Sequence, residues 1–174
     1  MKKKILILVI AVTAVLAVSL TLAFMLRETE PIQNDFVPAE VSCSVEEKFD
    51  SSQKTSIKVR NDSNIACYLR VRLISYWQNG SGKIVGKASV MPDVVFDETN
   101  WLEDAENNTY YYQTPVKPDE QTEQNLLKTP IVLAEDTFNG EPVYQVVQVF
   151  AEAIQAQPKD AVRNAWPFMA SHIN

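Results

Sequence analysis

At 174 residues and a formal net charge of −6, with 16 basic against 22 acidic side chains, the chain is too acidic to hold nucleic acid or an anionic lipid surface by charge. Four glycines and one histidine exclude a glycine-rich phosphate loop and a histidine-rich zinc site.

The N-terminus carries Lys2, Lys3 and Lys4 ahead of an apolar run over residues 5–26. A basic head before a long apolar stretch is how a secretory signal begins, and Thr21-Leu22-Ala23 supplies small residues for cleavage between Ala23 and Phe24. The run would span about 33 Å as a helix at roughly 1.5 Å per residue, so an uncleaved anchor reaching to about residue 26 stays open as the alternative. Either way the lysines hold the N-terminus inside and place the rest beyond the membrane. Removing residues 1–23 of the 174 leaves 151, enough for one domain, and losing three of 16 basic residues leaves 13 against 22 acidic ones. The expected organisation is a signal over 1–23, an extended segment over 24–35 containing Pro31, and a single domain over 36–174.

Period-two alternation dominates that domain. Val41, Cys43 and Val45 alternate with Ser42, Ser44 and Glu46, and Ile57 and Val59 alternate with Ser56, Lys58 and Arg60. The strongest strand is 66–77, with Cys67, Leu69, Val71, Leu73 and Trp77 on one face and Tyr68, Arg70, Arg72 and Tyr76 on the other. Asn79-Gly80-Ser81-Gly82 predicts a turn, with 83–87 returning as a partner strand. Cys43 and Cys67 lie on the apolar sides of their segments, which fits a disulfide in an exporting compartment and equally fits two buried thiols. Neighbouring strands are expected to carry them.

Residues 91–108 place Asp93, Asp97, Glu98, Glu103, Asp104 and Glu106 around Trp101. A solvated loop is the simpler reading, against a calcium site for which no EF-hand pattern occurs. Tyr110-Tyr111-Tyr112 favours a strand, Lys117-Pro118-Asp119-Glu120 a turn, and Ile131-Val132-Leu133 a short strand. Asn139-Gly140 punctuates the chain before 143–154, a valine-rich run suited to a central strand packed on both faces. Helix is expected only at the end, where Pro158 and Asp160 open it, Ala161, Val162, Ala165 and Trp166 form its apolar stripe, and Pro167 stops it.

Strands at short intervals with one terminal helix define the expected fold as all-β, a jelly-roll-like antiparallel β-sandwich behind an N-terminal signal or transmembrane helix. Its core is expected to hold Val41, Val45, Ile57, Val59, Leu69, Val71, Leu73, Val147 and Val149, with Arg70 and Arg72 pointing away. No enzyme is expected. His172, the sole histidine, sits near the end of the sequence, so no H-E-x-x-H, no Ser/His/Asp or Cys/His pairing and no catalytic, metal or cofactor residue is assigned.

Five segments, TLAFMLRETEP, NDFVPAEVSCSVEE, KTSIKVRNDSNIACYLRVRLISYW, NTYYYQTPVKPDEQT and VVQVFAEAIQAQPKDAVRNAW, taken in this order, resemble the camelysin/TasA-like exported proteins of Gram-positive bacteria, which carry a SipW-dependent signal peptide. The resemblance covers nearly the whole chain. It implies a jelly-roll sandwich that forms extracellular fibres or surface layers, with partners that are further copies or related matrix subunits and a signal peptidase during export. The metalloprotease activity described for camelysin does not carry over, because this chain lacks the histidines to hold zinc. Cys67 in A-C-Y-L-R stands where the family pattern reads Pro-Ala-Tyr-Ile-Arg, so a Cys43–Cys67 disulfide would be particular to this branch. The final SHIN carries no sortase-type L-P-x-T-G, so covalent wall anchoring is not expected.

The expected function is therefore an exported structural protein, a subunit of a biofilm-matrix or cell-surface fibre that assembles by strand addition, with 24–35 as the donated segment. It would be secreted to the matrix or cell surface, or held at the membrane by its N-terminal helix alone. The alternative is a surface binding module for polysaccharide in which Trp101, Tyr110, Tyr111 and Tyr112 present rings to sugars.

Overall fold

The computed structural model describes residues 38–173 together with Lys3; the Ala23–Phe24 cleavage site and the segment 24–35 lie outside the described residues. Alternation produces strands where it was expected. In chain order they are β1 (Cys43–Asp50), β2 (Gln53–Asn61), β3 (Cys67–Asn79), β4 (Trp101–Asp104), β5 (Thr109–Tyr112), β6 (Ile131–Val132), β7 (Glu135–Phe138) and β8 (Glu141–Gln155). One short helix, α1 (Lys159–Ala165), and a 3-10 turn (Pro167–Ser171) follow. The strands make two antiparallel sheets, ordered β1-β2-β6 and β4-β5-β3-β8-β7.

The long pair β3–β8 forms the spine, in unbroken register from Cys67 opposite Gln155 to Asn79 opposite Val143. Its inward side chains, Leu69, Val71, Leu73 and Val147, meet Ile57 and Val59 of β2 in one core with Trp101, Tyr110, Tyr112, Leu126, Leu127 and Ile131. Each such side chain stabilises the fold by about 1.5–3 kcal/mol when fully buried. Val45 and Val149 pack against this core only in part, and Val41 is 43% exposed, ahead of the first strand rather than in the core. The connection from β2 to β3 crosses between the sheets. Asn61 holds the crossing, its buried amide donating to Ile65 O and Val116 O at 2.9 and 2.8 Å while its Oδ1 accepts from Ser63 N.

Strand pleating divides the tyrosine run. Tyr110 and Tyr112 enter the main core, while Tyr111 turns to the opposite face and joins Tyr68, Val162, Trp166, Met169 and Ile173 in a second cluster beneath α1. Of the expected helical stripe, Val162 and Trp166 are buried and Ala165 is exposed. Pro158 stands just before the helix rather than within it. The turn at Asn79 forms, with Gly82 at φ 80°, but the return segment makes one bridge, Gln78 to Ile84, instead of a strand. The Asn139-Gly140 turn joins β7 to β8 with both residues at positive φ, as a two-residue hairpin requires.

Arg70 and Arg72 point away from the main core, but Arg70 is not a solvated charge. Its guanidinium lies 4.8 Å from the Trp166 ring centroid, and its Nε and Nη2 donate to Glu152 Oε2 at 3.1 and 2.5 Å. Arg70→Ala should therefore cost about 1–2 kcal/mol, most of it lost packing under α1 because Glu152 is half in solvent. Arg70→Lys should recover little of this, since an ammonium neither stacks nor forks in the same way. Urea unfolding midpoints of the two variants would check both expectations.

Candidate functional site

The rings expected to meet a ligand are inside. Trp101 is fully buried, and Tyr110, Tyr111 and Tyr112 are at most 4% exposed, so none offers a face to a sugar. Tyr110 Oη donates to Glu103 at 2.9 Å, and burial, reinforced by this carboxylate, pushes its phenol well above the usual range. Two other carboxylates of the acidic stretch, Asp97 and Asp104, are also engaged locally. Asp97 accepts from the Asn100 amide at 2.9 Å and Thr99 N at 3.0 Å, and the Asn100 bond first among these holds its carboxyl below the usual range. Asp104 accepts from Asn107 in the same manner. Among the described residues, no group of three or more His, Cys, Asp or Glu side chains could hold a metal ion. His172 is exposed and stacks on Phe168.

Cys43 and Cys67 are free thiols, on β1 and β3 respectively. These strands belong to different sheets, which corrects the expectation that neighbouring strands carry them. The crossing held by Asn61 is the reason. Burial above all, then Asp62, Cys67 and Glu152, pushes the Cys43 thiol up to about 11.

The feature with functional potential is main chain rather than side chain. In an antiparallel strand, alternate residues direct both N–H and C=O to the same side. Gln145 N donates to Ala134 O at 2.8 Å, away from β3, whereas Ala156 N donates to Ala66 O at 2.9 Å on the β3 side. Hence Val147, Val149, Ala151 and Ala153 direct their backbone groups outward from the sheet. β7 covers β8 only from Glu141 to Tyr144, and Gln145 closes that pairing; beyond it, no described residue pairs with the outer edge. The chain explains the gap. Residues just before β7 belong to β6 in the other sheet, and Leu133 N donates to Ser52 O there, so this segment does not continue alongside β8.

Among the described residues about 20 Å of strand edge is thus unpaired, the length of an ordinary strand. Val149, Ala151 and Ala153 face the core yet are only partly buried, unlike Leu69 and Val71 on the fully paired β3. Across the sandwich, β1 lies beside β8 and is also open on its outer side among the described residues, with Cys43 and Val45 likewise only partly covered.

These two outer edges, unpaired among the described residues, differ in how they are protected. β1 carries a bulge at Lys48/Phe49, and Glu47, at a core-facing register position, accepts from the buried Lys54 Nζ at 2.6 Å. Bulges and inward charges are devices that discourage strand addition. β8 has neither, and residues 146–154 contain no Lys, Pro or Gly. Sequence periodicity singled out this strand but not its bare side. The signal lay in the mismatch between a long apolar strand and the short segment that precedes its hairpin.

Fold and site together define a mostly β protein of two antiparallel sheets with one long strand edge that is unpaired among the described residues. No protein-family model, curated protein or solved structure matches the chain. Among the described residues no helix is long and apolar enough to cross a membrane.

Proposed function

We propose that this chain is an exported structural protein, a subunit of an extracellular biofilm-matrix or cell-surface fibre, whose copies join by adding a strand to the outer edge of β8. The observation that carries the reading is the edge at Val147, Val149, Ala151 and Ala153, which no described residue pairs with and which is flanked by core residues only partly covered by the described residues. Unpaired backbone groups beside partly buried apolar side chains make a template for one more strand, which would satisfy the groups and seal the core together. Proteins that gain nothing from such an edge usually block it. The leader-like N-terminus and the resemblance to the camelysin/TasA-like proteins support the same reading, and with it a jelly-roll-like description of the two packed sheets. A polysaccharide-binding module is the weaker alternative, because the four rings it relied on are buried.

The donated strand is assigned to residues 24–35 of a neighbouring copy, where Phe24, Leu26 and Ile32 supply apolar side chains. Deleting 24–35 from the mature protein should leave a cooperatively folding, strand-rich monomer that no longer forms filaments. Sedimentation velocity over a concentration series and circular dichroism would measure this. Unchanged filaments would reject the donor segment, and loss of folding would place 24–35 in the domain's own sheet.

A further inference from the structure

We propose that Cys43 and Cys67 are an oxidisable pair, which a disulfide oxidant closes into a single bridge between the two sheets. Several contacts bring the two positions together. Cys43 sits opposite Asn61 on β2, and the Asn61 amide donates to Val116 O, the same carbonyl that accepts from Cys67 N. Ser63 links them more directly, since its Oγ donates to Ser42 O and accepts from Ser42 N, both at 2.9 Å, while the Cys67 thiol lies 3.3 Å from the same oxygen. Cys67 is fully buried in the main core, and Cys43 packs against that core from the other sheet. The two thiols are close enough for a charge on Cys67 to raise the Cys43 pKa.

The chemistry assigns different roles to the two sulfurs. Cys43 is only partly buried whereas Cys67 is fully buried, so Cys43 is the one an external disulfide can reach. Its thiolate attacks one sulfur of the oxidant, a low-molecular-weight or protein disulfide, releasing one thiol and leaving a mixed disulfide on Cys43. Cys67 then loses its proton and attacks Cys43 Sγ, expelling the second thiol. Two protein thiols become one disulfide while one oxidant disulfide becomes two thiols, so electrons and protons balance. Because the Cys43 thiol is held up to about 11, its thiolate is scarce at neutral pH, and the first step should quicken about tenfold per pH unit between pH 7 and 10. The inference stands whether or not the chain assembles into fibres.

The test uses the full chain in oxidised and reduced glutathione mixtures, read by intact mass and by thiol labelling after denaturation. Wild type should lose both thiols as a monomer without a retained glutathione, and its thermal midpoint should rise by roughly 10 °C on oxidation, since the bridge closes a loop across two sheets. Cys67→Ser should trap glutathione on Cys43, whereas Cys43→Ser should stay unmodified while folded. Two free thiols in wild type at strongly oxidising mixtures, glutathione retained on wild-type Cys43, or covalent dimers would each overturn the proposal.

Discussion

Trp101→Ala should destabilise the fold by about 3–5 kcal/mol, the largest loss expected from any single side chain here. Trp101 is fully buried, packs edge-on against Tyr112 with centroids 5.0 Å apart, and pairs through β4 with that same residue. Its removal opens a cavity where the short strands β4 and β5 lean on the core, and strands of four residues each have little else to hold them. Trp101→Phe should behave very differently. The indole Nε1 is buried without a hydrogen-bond partner among the described residues, a situation that costs about 1–3 kcal/mol. Phenylalanine discards that donor and keeps most of the ring, so the lost volume and the relieved penalty nearly offset one another. We expect Trp101→Phe within about 1 kcal/mol of wild type. Urea unfolding of the two variants would check the contrast, and equal losses from both would show that the indole N–H does have a partner.

The contrast between these variants marks what local sequence can and cannot carry. Alternation along 66–77 placed Leu69, Val71 and Leu73 inward because side-chain direction in a strand depends only on counting by two. The same counting separates Tyr110 and Tyr112 from Tyr111, but nothing near them in sequence tells that both faces are covered. That depends on Trp166 and Met169, more than fifty residues away, folding back over β5. Val41 fits the alternation of β1 yet lies before it, because the pairing register starts at Cys43 opposite Asn61. The cysteines were misplaced for a related reason. Periodicity fixes a face, whereas sheet membership depends on where the chain crosses between sheets, and that turn is held by side chains such as Asn61 and Ser63 whose partners lie far along the chain. The return segment at 83–87 shows the converse. Its turn chemistry was sound, but Lys87 pairs with Asp136 of β7 and lies over Trp77, so tertiary contacts draw the segment away from a ladder. The outer edge of β8, unpaired among the described residues beyond Gln145, was the least legible feature, since an edge is defined by what fails to pair with it.

That edge gives the sharpest test of assembly, through two prolines three residues apart. Ala151 directs its N–H outward, so Ala151→Pro removes a donor that no described residue uses. Proline is tolerated on an edge strand when the missing N–H faces away from the ladder. The variant should fold with a modest loss of stability yet fail to form filaments, because an added strand would lose a bond in mid-edge and meet the ring instead. Gln148 has the opposite parity, and its N–H points into the β3 ladder opposite Ile74. Gln148→Pro should therefore break the spine of the sheet at a cost of about 3 kcal/mol or more, with little folded protein recovered. Thermal unfolding would separate the two variants, and electron microscopy would score filaments in the one that folds. Filaments from folded Ala151→Pro would show that the outer edge of β8 is not where copies join, and equal destabilisation by both prolines would mean that this edge is already paired within the chain.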